Sequence, residues 1–109
     1  RPTKIKTRRL PRNLQHFKVK TQVDFLPTKS KKRTLMEFVA LDTPGLLATV
    51  GATFAELHLD LHAAKITTIG ERAEDLFILT GAHGARLSEE EELALRERLI
   101  ENVSELAPS

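Results

Sequence analysis

The sequence predicts a single α+β domain, a mostly antiparallel sheet with two helices on one face. Three observations carry this. Strand-like and helix-like stretches follow the order strand, strand, helix, strand, strand, helix. Two strand stretches, 34–41 and 75–80, are apolar on both faces, as central strands are. Each helical stretch carries one apolar stripe at helical spacing. A chain of 109 residues with 40% apolar residues can bury one such core.

Residues 1–12 are highly charged and include Pro2 and Pro11, which reads as linker. A basic linker or strap is therefore assigned to 1–20 and the domain to 21–109, with Leu14, Phe17 and Val19 tucking the end of the arm inward. In 21–26, Val23 and Phe25 alternate with Gln22 and Asp24, a short strand signal. A Lys-rich turn follows. In 34–41, Leu35, Val39 and Leu41 share one face, interrupted by Glu37, while Met36, Phe38 and Ala40 share the other. Asp42-Thr43-Pro44-Gly45 ends that strand, and a helix is predicted over 44–57. Thr43 would cap it, and Pro44 would stand at its first position, where a missing N–H is harmless. Leu46, Val50, Phe54 and Leu57 form its stripe. Gly51 costs a helix about 1 kcal/mol relative to alanine, so close packing against the sheet is expected there. Residues 59–69 read as an irregular strand with a bulge near Ala63 and Ala64, and Gly70-Glu71-Arg72 as a hairpin turn. After a strand over 75–80 and a loop over 81–86, a second helix is predicted over 88–106. Ser88 and Glu91 form a capping box, and Glu89, Glu90, Glu91 and Glu92 suit the positive end of the helix. Leu95, Leu99, Val103 and Leu106 make its buried stripe.

The closed form of this order is ferredoxin-like. That fold starts with the strand before the first helix and ends with a strand after the second. Here nothing strand-like follows the second helix, and the strand at 21–26 fills the vacant edge as a hairpin partner of 34–41. The expectation is a four-stranded antiparallel sheet in the permuted order ββαββα. Two helices cover one face only. Phe38, Phe77 and Leu79 are expected to leave apolar surface on the other face or at an edge, where a second copy or a sister domain would pair.

Charge is unevenly spread. Residues 1–33 hold 12 of the 17 basic residues and one acid, Asp24, a net +11, whereas 34–109 carry a net −9. The basic arm can meet nucleic acid or the acidic part of its own chain, and the linker or strap reading is preferred. With Phe17 as its one aromatic it lacks a stacking platform for single strands, and it lacks the apolar face of a membrane-surface helix. Neither a nucleic-acid nor a membrane partner is expected. No apolar run approaches the ~20 residues of a membrane span, and residues 1–20 lack the apolar core of a signal peptide. There is no cysteine, hence no disulfide and no thiolate metal site. A cytoplasmic protein is expected.

The most informative stretch is Asp42-Thr43-Pro44-Gly45-Leu46, between a central strand and a helix. A helix start presents unpaired N–H groups and partial positive charge, here expected at Gly45 and Leu46, which suits a carboxylate. Asp42 adds a negative charge within reach of an ammonium group. One small site can thus hold both ends of a free amino acid. Taken alone, such a turn also fits a bare helix start that binds nothing.

Leu41-Asp42-Thr43-Pro44-Gly45-Leu46-Leu47 after a strand resembles the signature of ACT domains, amino-acid-binding regulatory modules. The likeness continues through Phe54-Ala55-Glu56-Leu57 and Leu61-His62-Ala63-Ala64-Lys65-Ile66. Thr68-Ile69-Gly70-Glu71-Arg72-Ala73-Glu74-Asp75-Leu76-Phe77, with Arg9-Leu10-Pro11-Arg12 and His16-Phe17, is similar to the last ACT domain of the bacterial bifunctional uridylyltransferase and uridylyl-removing family. The resemblance implies a regulatory domain that senses glutamine and controls uridylylation and deuridylylation of the PII nitrogen-signalling protein. It implies a ligand between two ACT domains, with Asp42, Thr43, Pro44, Gly45 and Leu46 from one and His62, Ala63, Ala64, Lys65 and Ile66 from the other. The parent's nucleotidyltransferase and phosphohydrolase motifs are absent from this segment, so no catalytic residue is assigned. No cofactor is expected here, Mg belonging with the parent's catalytic domains.

Other constellations carry less. His58 and His62 straddle a helix end and a strand, which does not suit a zinc pair, and no metal site is assigned. His16 and His83 have no visible partners, and no Ser-His-acid arrangement can be read from spacing. Gly81-Ala82-His83-Gly84 lacks the Lys and Ser/Thr of a phosphate loop. The competing readings are a dimerisation module without ligand, a nucleic-acid contact domain using the basic arm and, last, an independent small enzyme.

Overall fold

A computed structural model describes residues 19–106. Within them the order is β1 (Gln22–Leu26), β2 (Thr34–Leu41), α1 (Leu46–Glu56), β3 (Asp60–Lys65), β4 (Thr68–Ile69), β5 (Arg72–Thr80) and α2 (Glu89–Ser104). The sheet runs β1-β2-β5-β3 with all pairings antiparallel, and the short β4 adds a fifth strand beside β5. This is the permuted ferredoxin-like sheet, with β1 on the edge that a C-terminal strand would otherwise fill. Residues 1–18 of the linker or strap, with Leu14 and Phe17, lie outside the described residues. No helix among the described residues is long and apolar enough to cross a membrane.

Strand alternation decides the core. Thr34, Met36, Phe38 and Ala40 of β2 are buried, as are Ala73, Asp75, Phe77 and Leu79 of β5, and the helices cover this side. Phe38, Phe77 and Leu79 were the residues expected to leave apolar surface uncovered. They are instead core residues at 0%, 2% and 0% exposure. The uncovered face is built by their neighbours Leu35, Val39, Leu76 and Ile78, each half-buried. Both faces of these strands are apolar, so alternation separates the two sets without saying which set the helices cover. The Phe77 ring lies edge-on to Phe54 of α1 at 5.3 Å and tilted to Phe38 at 6.5 Å, joining helix and sheet.

α2 begins as its sequence indicates. Ser88 Oγ accepts from Glu91 N–H at 3.1 Å, and Ser88 N–H donates to Glu91 Oε1 at 2.9 Å. The Ser88 amide holds the Glu91 carboxyl below its ordinary value of 4.5, while burial acts the other way. A depressed carboxyl contributes stability that is present above its unfolded pKa and lost as pH falls through the folded one. Glu91→Gln keeps the box geometry without the charge. It should be less stable than the parent at pH 7, and the gap should narrow in a urea series as pH falls below the ordinary carboxylate range. A gap that persists at low pH would disprove a charge-based role. α2 also secures the edge strand: Arg96 Nε donates to Val23 O at 3.0 Å, and its guanidinium lies 5.3 Å from the Phe25 ring centre.

α1 differs from expectation at three points. It starts at Leu46 rather than Pro44, with Gly45 as N-cap at φ 85° and no side-chain cap. Thr43 Oγ1 donates to Leu41 O at 3.1 Å and so does not cap the helix. Gly51 is exposed, and a Cβ there would meet nothing within 4 Å, so the expected close approach to the sheet is absent. With only the backbone cost left, Gly51→Ala should stabilise the domain by about 1 kcal/mol in urea denaturation. Destabilisation would show that something packs there. The helix ends in a Schellman turn, with Leu59 N–H on Phe54 O, His58 N–H on Ala55 O and His58 itself at φ 59°.

Candidate functional site

The turn after β2 is fixed from both sides. Asp42 N–H donates to Glu71 O at 2.8 Å, so the backbone of the turn extends the β2–β5 ladder by one bond. Gly45 then enters the left-handed region, which a side chain would resist, and Leu46 N–H donates back to Thr43 O at 3.0 Å. This corrects the expectation that the Leu46 amide is free. Thr49 N–H reaches Gly45 O at 2.9 Å, and among the described residues no backbone carbonyl accepts from the amides of Gly45, Leu47 or Ala48. These three are the orphan donors of α1. Asp42, Pro44 and Gly45 are exposed and Thr43 is half-buried, whereas the Leu46 side chain belongs to the core at 4% exposure. The Asp42 carboxylate has no hydrogen-bond partner among the described residues.

The second group of expected site residues lies on β3, an edge strand whose six residues are all exposed. Its bulge falls between Leu61 and Ala63, placing the irregularity at His62 rather than at Ala63 and Ala64. The His62 ring Nε2 is 2.8 Å from Thr80 Oγ1. Ala63, Ala64 and Lys65 continue the free edge, and Ile66 follows at 47% exposure. Ala63, Ala64 and Lys65 also border a shallow apolar depression of about 200 Å³ with Leu35, Leu76 and Ile78. Within one chain β5 stands between β2 and β3, so the two groups are not brought together.

One residue escaped the sequence reading. Asp75, on the helix-covered side of β5, is 1% exposed. Its Oδ1 accepts from Thr67 N–H at 3.1 Å, and its Oδ2 is buried without a hydrogen-bond partner among the described residues. Burial pushes this carboxyl above its ordinary value of 3.8, the Thr67 amide opposes that, and the charge of Asp42 adds to it. Parity puts Asp75 on the face of Ala73, Phe77 and Leu79, and only the packing of the helices on that face makes it the buried one.

The ACT domain family model matches residues 34–97. This chain belongs to the ACT domain family. The chain is 87% identical over its 109 residues to a bifunctional uridylyltransferase/uridylyl-removing enzyme of Vibrio cholerae, covering all of this chain and 12% of that protein. It is 83% identical over 108 residues to the enzyme of the same name from Vibrio atlanticus, covering 99% of this chain and 12% of the relative. Over 105 residues it is 70% identical to the one from Aliivibrio fischeri, covering 96% of this chain and again 12% of the relative. The chain thus spans 12% of the length of these relatives. The family match begins at Thr34 and leaves out β1, which pairs with β2 at the edge of the same sheet.

Proposed function

We propose that this ACT domain is the amino-acid sensor of a bifunctional uridylyltransferase/uridylyl-removing enzyme, that its effector is glutamine, and that it controls uridylylation and deuridylylation of the PII protein. The observation that carries the reading is the turn after β2. It exposes the Asp42 carboxylate and the amides of Gly45, Leu47 and Ala48, all without a hydrogen-bond partner among the described residues. An α-amino acid offers an ammonium group to the first and a carboxylate to the second. The free edge of β3 supports a shared site, because a second ACT domain pairing there would bring its own His62 to Ile66 segment against the effector. In such a pair the effector acts by a coupling free energy, typically ~1–3 kcal/mol, between its site and the catalytic domains.

The test uses the full-length enzyme. Calorimetry should show glutamine binding, and removal of residues 21–109 should abolish both that heat and the glutamine dependence of PII modification. If the truncated enzyme still responds to glutamine, the sensor lies elsewhere. If no amino acid gives heat with the intact enzyme, the domain is a pairing module without an effector.

A further inference from the structure

The sheet order places β5 between the two halves of the effector site. Asp42 follows β2, Thr67 follows β3, and β5 pairs with both strands. Asp75 lies on β5, on its helix-covered side. On that side Ala40 pairs with Ala73, and Asp42 is the next position along, its amide bonded to Glu71 O. Between the two carboxylates, therefore, the strands carry only methyl side chains. Burial is the main cause that makes Asp75 hard to ionise, and the charge of Asp42 adds to it. A carboxylate oxygen buried with no partner is costly to keep, and native structures rarely keep one without a use.

The other Asp75 oxygen has a partner, and it lies on the β3 side. Thr67 N–H donates to Oδ1 at 3.1 Å, and Glu74 N–H donates to Thr67 O at 2.8 Å. Asp75 thus holds the segment just beyond Ile66, the end of the second group of site residues. One carboxyl connects the two regions that the effector would join.

Resting on the amino-acid-sensing reading above, we propose that Asp75 is the second carboxylate of the effector site. Its free oxygen takes the ammonium group of the bound amino acid together with Asp42, while its bonded oxygen passes occupancy to the β3 edge through Thr67. The ammonium supplies the donor that Oδ2 lacks, and its charge offsets the repulsion between the two acids. The ligand class is a free α-amino acid, and a ligand without the ammonium gains nothing from Asp75.

Glutamine and 4-carbamoylbutanoate, which is glutamine lacking its amino group, distinguish this role from a structural one. Their affinities are measured by calorimetry and competition on the full-length enzyme and on its Asp75→Asn variant. Asp75→Asn should weaken glutamine at least tenfold and change the des-amino analogue less than twofold. Equal glutamine affinity in the variant overturns the proposal, as does an equal loss for both ligands, which means general deformation. If Asp75→Asn does not fold, hydrogen exchange on the unmodified enzyme decides. Glutamine should protect the peptide containing Thr67, and unchanged exchange there overturns the proposal. A wild-type enzyme that binds no amino acid removes the sensing reading and this proposal together, whereas wild-type binding with an indifferent Asp75 removes only this one.

Discussion

Phe77→Ala should cost the domain about 3–5 kcal/mol, the usual range for emptying a buried phenylalanine site. The ring is 2% exposed and meets Phe54 of α1 and Phe38 of β2. Its loss removes apolar contact from two layers at once, together with two aromatic pairs worth about 0.5–1.5 kcal/mol each. The sheet backbone is fixed by pairing on both sides of β5, so the void cannot close by moving that strand. A small domain has roughly 5–15 kcal/mol in all, so the variant should be partly unfolded at 37 °C. Urea denaturation of the chain checks this. A loss under 1 kcal/mol would mean that the core repacks, contrary to the rigid geometry described.

Asp42→Ala should do the reverse, leaving the fold and removing the ligand. The Asp42 side chain is exposed and unbonded among the described residues, and the bond to Glu71 O comes from its backbone. Stability should therefore stay within about 0.5 kcal/mol of the parent. A hydrogen bond to a charged group contributes about 1.5–3 kcal/mol, so glutamine affinity should fall roughly ten- to a hundredfold. Calorimetry on the full-length enzyme measures it, and unchanged affinity takes Asp42 out of the site.

The parts of the structure that were legible rest on local chemistry. The α2 start could be read from Ser88 and Glu91 because a capping box is complete within four residues. The centrality of β2 could be read from its apolar faces, and the edge position of β1 from its place as the hairpin partner ahead of β2. The start of α1 could not be read. Pro44 is a good first helical residue and Gly45 a good left-handed one, and the two signals compete. The observed turn has Asp42 anchored on Glu71, a residue 29 positions away, and Gly45 takes the left-handed role. In the candidate site, the exposed group at Asp42 to Gly45 was found from its motif. The free amides proved to be Gly45, Leu47 and Ala48 because Thr43 O takes Leu46. Asp75 was missed because a lone acid in a strand reads as a solvent-facing position until its register is known.

The edge position of β1 governs how the molecule can be dissected. Excision at Thr34, where the family match begins, would strip β2 of its hydrogen-bonded neighbour along Leu35 to Val39. It would also deprive Arg96 of its Val23 and Phe25 contacts and leave a bare strand leading into the Asp42 turn. Unpaired strands of this kind recruit other chains. A fragment drawn to the family boundary would therefore tend to self-associate through a surface that the longer chain keeps sealed, and any pairing it displayed would reflect the cut.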